Sequence, residues 1–301
     1  MADDAFFAGV ELGGTKTVAV LGRDRDIVDR LTVPTTTPAE TLAAVADRLA
    51  EWRRDRALAG LGVASFGPVA LDPASAEHGR MLATPKPGWA GADVLRPLAE
   101  AAGAPARLHT DVTAAALAEG RWGAARGLAD HAYVTIGTGI GVGLVANGAP
   151  VSGRMHPEAG HLRVRRLAGD GFAGSCPFHG DCLEGLASGP AIAARAGRPA
   201  DALPPDDPAW SLVADALAEG FAALLTTLAP AAIVVGGGVG LGQPQLLPLV
   251  RAGIVAKLGG YLPFVTAETI ATMIVPAALG GDAGPLGALL LAALAAGPAT
   301  A

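Results

Sequence analysis

The chain has 301 residues, a formal net charge of −6, 51% hydrophobic and 17% charged side chains, which suits two lobes with separate cores and excludes a disordered chain. The acidic balance argues against a dedicated nucleic-acid or anionic-membrane binder. No charged segment followed by an apolar run opens the sequence and only two cysteines occur, so a cytoplasmic protein without a signal peptide is expected.

Phe6 to Leu12 predicts a strand, Gly13-Gly14 a tight turn, and Thr15 to Leu21 a returning strand. The tip Gly13-Gly14-Thr15-Lys16 offers backbone N–H groups, a hydroxyl and a cation to phosphate oxygens. Most such turns merely join strands. Thr37-Pro38-Ala39-Glu40 starts a helix, with Thr37 as N-cap, Pro38 at the first position and Glu40 completing a capping box. Leu42, Val45, Leu49 and Trp52 then share one face, and Arg53, Arg54 and Arg56 make a solvated helix end. Ala59 to Ser65 predicts a strand that stops at Gly67-Pro68. Glycines at strand ends often line a ligand crevice in open α/β sheets. Trp89, at the tip of a proline-rich loop, either covers the face of a ligand or plugs the core.

Asp93 to Ala102 predicts a helix capped by Asp93, and Ala106 to His109 a strand leading into Thr110-Asp111. Asp111 stands before the helix Val112 to Arg121. A carboxylate there either caps the helix or serves as a general base facing a crevice between lobes. His131 to Ile136 and Val142 to Ala146 form a second hairpin around Gly137-Thr138-Gly139-Ile140-Gly141. Two strand–glycine turn–strand units, each followed by helix and strand, predict a duplicated α/β architecture. Beyond them lie a long helix, Ala209 to Leu228, and a buried strand ending in the glycine run Gly236-Gly237-Gly238. That run reads as a close backbone approach to a nucleotide. Ile270 to Val275 predicts a further strand, and Leu286 to Ala296 a buried helix too short to span a bilayer.

The stretch from His156 to Glu184 holds both cysteines and three of the six histidines. Cys176, His179 and Cys182 follow one another at even spacing, and His161 lies upstream. Two thiolates and two imidazoles suit a closed, tetrahedral, structural zinc site. Stray thiols or a short disulfide are the alternatives, the second disfavoured by the absence of a secretion signal. Glu158 and Glu184 beside these ligands are either ordinary surface acids or holders of polyol hydroxyls.

In order along the chain, GVELGGTK, the segment Gly62 to Pro68, KPGW, GTGIG, HPEAGH, CPFHGDCLEG with ASGP, and GGGV together resemble the ROK family of sugar kinases and repressors, above all its zinc-containing bacterial fructokinase branch. The likeness runs from Gly9 almost to the C-terminus. It implies an actin-like ATPase (ribonuclease H-like) fold of two duplicated α/β lobes with a cleft between them. One lobe would be residues 1–114, with a C-terminal helix 285–301 packing back on it, and the other the larger 115–284 with the zinc loop. The resemblance further implies that Gly13, Gly14, Thr15, Lys16, Gly137, Thr138 and Gly139 hold the phosphates of ATP, with Mg2+ between the tips. Gly236, Gly237 and Gly238 would border adenosine. Asp111 would be the base that takes the proton of a hexose 6-hydroxyl. Gly67, Thr110, Glu158, His161 and Glu184 would meet the sugar, and His161, Cys176, His179 and Cys182 would bind structural Zn2+. A homodimer is also implied. Thr110 stands where many relatives have Asn, and Glu11 where the wider family has Asp. The sequence thus predicts a fructokinase. Its rivals are a kinase for glucose, mannose or an N-acetylhexosamine, a sugar-sensing regulator without catalysis, and a zinc hydrolase, which would need an open coordination position.

Overall fold

The segment FFAGVEL alternates too little to keep a wet face. In the computed structural model, which describes residues 5–297, it forms the central strand β1 (Phe6–Leu12), with Ala8, Val10 and Leu12 fully buried. β2 (Lys16–Arg23) returns antiparallel beside it, and β3 (Asp26–Pro34) continues the meander. α1 (Pro38–Asp55) then turns Leu42, Val45, Leu49 and Trp52 into the core. Its start is the expected capping box. The Thr37 hydroxyl accepts from the Glu40 N–H, and the Glu40 carboxylate accepts from the Thr37 N–H and from the hydroxyls of Thr36 and Thr37. β4 (Leu58–Ser65), α2 (Arg96–Ala102), β5 (Ala106–Thr110) and α3 (Asp111–Trp122) follow. The predicted helix from Asp93 begins at Arg96, because the Asp93 carboxylate accepts from the N–H groups of Leu95 and Arg96 and closes a turn ahead of it. Trp89 is fully buried, and its indole N–H donates to the Thr36 carbonyl at 2.9 Å. It belongs to the core.

In chain order there follow β6 (His131–Ile136), β7 (Ile140–Ala146), β8 (Ala149–Pro150), α4 (Leu183–Ala187), α5 (Gly189–Ala196), α6 (Ala209–Thr227), β9 (Ala232–Gly236), α7 (Gly238–Gly242), α8 (Leu246–Leu258), α9 (Ile270–Met273), β10 (Ile274–Pro276) and α10 (Ala283–Ala295). The predicted strand from Ile270 is corrected to a helical turn followed by three strand residues. Thr266 and Thr269 cap one another's backbone and start the helix, a local preference that β-branched composition hides.

Two compact units result, one of Met1–Ala118, Val151–Pro157 and Gly281–Ala301, the other of Glu119–Pro150 and Glu158–Gly280. Residues 298–301, the end of the predicted C-terminal helix, lie outside the described residues. In the first unit the sheet order is β3-β2-β1-β4-β5, in the second β10-β9-β6-β7-β8. Both sheets are built alike. A hairpin strand pair is extended by a third antiparallel strand on one side and by two parallel strands on the other. The duplication expected from the two glycine tips is therefore present in the topology.

In the first unit α10 packs across β1 and β4. Glycine is required at Gly62, where a Cβ would overlap the Ala288 carbonyl oxygen of that helix. The second unit has its own core around Trp210, Phe221, Leu183 and Ile254. Among the described residues α6 alone is long and apolar enough to cross a membrane, but 61% of its apolar window is buried within the protein, as in a core helix.

Candidate active site and metal centre

The turn after β1 is tight because the Gly13 N–H donates to the Lys16 carbonyl. Its carbonyls are already used. Thr35 Oγ1 donates to Gly13 O at 2.7 Å, and Lys86 Nζ donates to Gly14 O at 2.6 Å. Gly14, Thr15 and Lys16 are exposed. The turn therefore faces solvent with unused N–H groups, a hydroxyl and a cation, the chemistry of an anion cradle.

At the end of β5 the helix cap is supplied by Thr110, not Asp111. The buried Thr110 hydroxyl accepts from the Thr113 N–H at 3.3 Å and lies 2.8 Å from the Thr113 hydroxyl. Asp111 accepts from the Val112 N–H at 2.8 Å and from its own N–H. Burial pushes its carboxyl up to about 6, partly offset by those two backbone bonds. Glu11 on β1 is pushed up to about 7 by burial and then by the Asp111 charge, against the pull of Lys16 and Arg30. Asp111 and Glu11 thus share one poorly hydrated region of the first unit. Gly67 follows β4 and joins Pro68 through a cis peptide. The next residue, Val69, donates its N–H to His156 Nε2 at 3.1 Å. His156 is buried, and burial holds its imidazole below its usual range, so the ring accepts as the neutral form.

In the second unit the tip Gly137-Thr138-Gly139 joins β6 to β7, with Thr138 exposed. The glycine run closing β9 lies close to it, since a Cβ on Gly137 would stand 3.8 Å from the Gly238 nitrogen. Gly236 packs under the Tyr133 hydroxyl, so that glycine serves close packing, while Gly238 is exposed. Glu158, His161 and Glu184 come together, His161 Nε2 3.9 Å from Glu158 Oε2 and His161 Nδ1 4.0 Å from Glu184 Oε1. The other Glu184 oxygen accepts from the Ile140 N–H at 3.0 Å.

The four proposed ligands converge. Their donor atoms lie within 4.8 Å of one another, and both cysteines are free, buried thiols. Cys176 Sγ lies 3.7 Å from the Nδ1 atoms of His161 and of His179, and Cys182 Sγ 3.5 Å from His161 Nδ1. A tetrahedral zinc with bonds of about 2.3 Å to sulfur and about 2.0 Å to nitrogen has edges of roughly 3.5 Å. The donor set fits structural zinc, with no position left open. The predicted disulfide alternative is absent. The loop also has a second clip that the sequence reading omits. Arg195 of α5 forks onto Asp170 at 2.7 and 3.0 Å, Arg166 bonds the carbonyls of Asp170 and Phe172, and Arg163 reaches Asp181.

Two further residues escaped the sequence reading. His156 is one. The other is Glu119, fully buried at the end of α3, whose carboxylate accepts from the N–H groups of Ala124 at 2.7 Å, Leu279 at 2.9 Å and Ala278 at 3.2 Å. A lone acid within the alanine-rich run AAALAEG was the available signal.

The ROK family model matches residues 7–295. A fructokinase of Pediococcus pentosaceus is 40% identical over 94% of this chain and 96% of its own. A fructokinase of Zymomonas mobilis is 40% identical over 96% of this chain and 97% of its own. A crystal structure of a ROK family glucokinase from Streptomyces griseus with glucose and AMPPNP superposes with a TM-score of 0.72 at 25% identity, covering 96% of this chain and all of that one. The fold is the actin-like ATPase fold expected from the motifs. With nearly the whole chain matched and the motif residues in place, the protein belongs to the ROK family of sugar kinases.

Proposed function

We propose that this ROK kinase transfers the γ-phosphoryl group of ATP to the 6-hydroxyl of fructose, with Asp111 as general base. The observation that carries the proposal is the state of Asp111. It is relieved of helix capping by Thr110, and burial brings its carboxyl to about 6, so it is ionised at neutral pH yet basic enough to accept a proton. Identity of 40% to fructokinases over nearly full length favours fructose among the hexoses.

In the reaction the sugar O6–P bond forms as the bond from γ-phosphorus to the β-phosphate oxygen breaks. The hydroxyl proton passes to an Asp111 carboxylate oxygen, and ADP leaves with the bonding electrons. Such transfers ask mainly for positioning and charge neutralisation. ATP enters as its Mg2+ complex. Gly13, Gly14, Thr15, Lys16, Gly137, Thr138 and Gly139 hold its phosphates. Gly237 and Gly238 border adenosine, with Gly236 packed beneath them. Glu158, His161 and Glu184 take sugar hydroxyls, Gly67 approaches the sugar with backbone, and Thr110, beside Asp111, borders the sugar. Zinc on His161, Cys176, His179 and Cys182 would supply order and no chemistry. His161 then offers zinc its Nδ1 and keeps Nε2 toward Glu158.

Comparing kcat/KM for fructose, glucose, mannose and N-acetylmannosamine with Mg-ATP tests the reading, with the phosphorylated position read by phosphorus–proton NMR. Fructose is expected to lead, with the ester at C6. A lead for another hexose would replace the substrate and keep the kinase. No turnover of any hexose would refute both.

A further inference from the structure

The two carboxylate oxygens of Glu184 face different neighbours, and one of them is engaged outside any sugar-binding role. It stands two residues after Cys182, in the first turn of α4, which Cys182 itself caps by accepting from the Gly185 N–H. One carboxylate oxygen points toward His161. The other accepts the Ile140 N–H at 3.0 Å, immediately after the tip Gly137-Thr138-Gly139. A Cβ on Gly139 would lie 2.7 Å from that same oxygen. Two more contacts reach the tip from the same segment of chain. Gly160, between Glu158 and His161, is pressed so closely on Ile140 that a Cβ would overlap its carbonyl oxygen. Gly189, at the start of α5, donates its N–H to the Gly137 carbonyl at 2.7 Å. The glycine tip is thus gripped at both ends by the chain that carries the metal ligands. All of these residues belong to the second unit.

Within the tip the Gly137 N–H donates to the Gly139 carbonyl at 2.9 Å, and a turn that presents its remaining N–H groups to phosphate must keep one shape. A hydrogen bond to the N–H that follows the tip helps to fix that shape. From this we infer that Glu184 is a positioning residue for the nucleotide turn as well as a sugar ligand. The zinc-ordered loop thereby sets the shape of the phosphate cradle through one carboxylate. The inference rests on the reading of Gly137-Thr138-Gly139 as a nucleotide turn.

The test compares zinc-loaded wild type, Glu184→Ala and Glu184→Gln, with zinc content confirming that the loop is intact. Two quantities are read without sugar: the Kd for Mg-ADP by titration calorimetry, and amide hydrogen exchange across residues 137–141. Gln keeps an acceptor for the Ile140 N–H and Ala does not. Glu184→Ala is expected to weaken Mg-ADP binding and to speed exchange, each about tenfold, the scale of losing a hydrogen bond to a charged group. Glu184→Gln should restore both to within about twofold, while the KM for fructose rises in both Glu184 variants. Unchanged exchange and unchanged Mg-ADP affinity in Glu184→Ala would overturn the inference and leave the kinase reading standing. An equal loss in Glu184→Gln would overturn it too, since charge and not the accepted bond would then be at work. Failure of wild type to bind Mg-ADP would remove the nucleotide reading of the turn, and the inference with it.

Discussion

A carboxylate at the first position of a helix ordinarily serves that helix. Here the neighbouring Thr110 takes the Thr113 N–H, and Asp111 keeps bonds only to the Val112 N–H and its own in a site that disfavours its charge. That division of labour was hidden in the sequence, where capping was the default reading of Asp111 and the base the alternative, because capping depends on which side chain faces the helix. It has a kinetic consequence. Only the ionised form can take a proton, so kcat/KM for fructose is expected to fall tenfold per pH unit as the pH drops below about 6. A profile flat from pH 7 to pH 5 would contradict this. Glu11 carries a consequence for stability. Its carboxyl stands at about 7 in the fold against 4.5 in an ordinary site, so the folded state binds this proton more tightly than the unfolded state. Its contribution is full below pH 4.5 and is lost as the pH rises through about 7. Glu11→Gln should therefore make the Tm less sensitive to pH between 5 and 8, and denaturation scans across that range would detect it. Glu119 was hidden for a related reason. Its three backbone donors come from residues 124, 278 and 279, a convergence that no local pattern announces. Removing them a partner with Glu119→Ala should cost about 1–3 kcal/mol in urea unfolding.

At the scale of elements, the zinc loop was legible because its ligands are local in sequence, and a spacing of two residues between Cys176, His179 and Cys182 can be read directly. The Arg195–Asp170 clip was not legible, since its partners lie 25 residues apart. The loop therefore has two supports, and loss of zinc should loosen it without unfolding α5. Chelation is expected to raise hydrogen exchange across 173–183 while the Asp170 neighbourhood keeps its protection. Equal loss at both would mean that zinc alone orders the loop. β1, α1, β4 and the second hairpin were readable from apolar runs and glycine punctuation. The strand predicted at Ile270 failed because two threonines capped a helical turn. β3, largely exposed, and α8, with little amphipathic contrast, left weak patterns. The approach of α10 to β4 depends on Gly62, so Gly62→Ala should lose about 1–3 kcal/mol through overpacking. Gly171→Ala, with open space around its Cα, should be near neutral.

For the molecule as a whole, two sheets with the same strand plan each present a glycine turn after their first strand. Repetition explains why the fold could be read early: each hairpin supported the reading of the other. The differences between the units carry the individual chemistry. The first has Asp111 with Glu11, and the second has the metal ligands with Glu158 and Glu184. Substrate choice is written less plainly than reaction type, because it rests on a few hydroxyl contacts, whereas phosphoryl transfer rests on backbone turns that motifs reveal. The most direct test follows phosphoryl transfer from Mg-ATP to fructose by wild type and Asp111→Ala side by side, with Mg-ADP affinity as the control for folding. Wild type should form one fructose 6-phosphate for each ADP, and Asp111→Ala should lose about 10²–10⁴-fold in kcat with its Mg-ADP affinity intact. A variant that keeps near-wild-type kcat would contradict the assignment of Asp111 as the base.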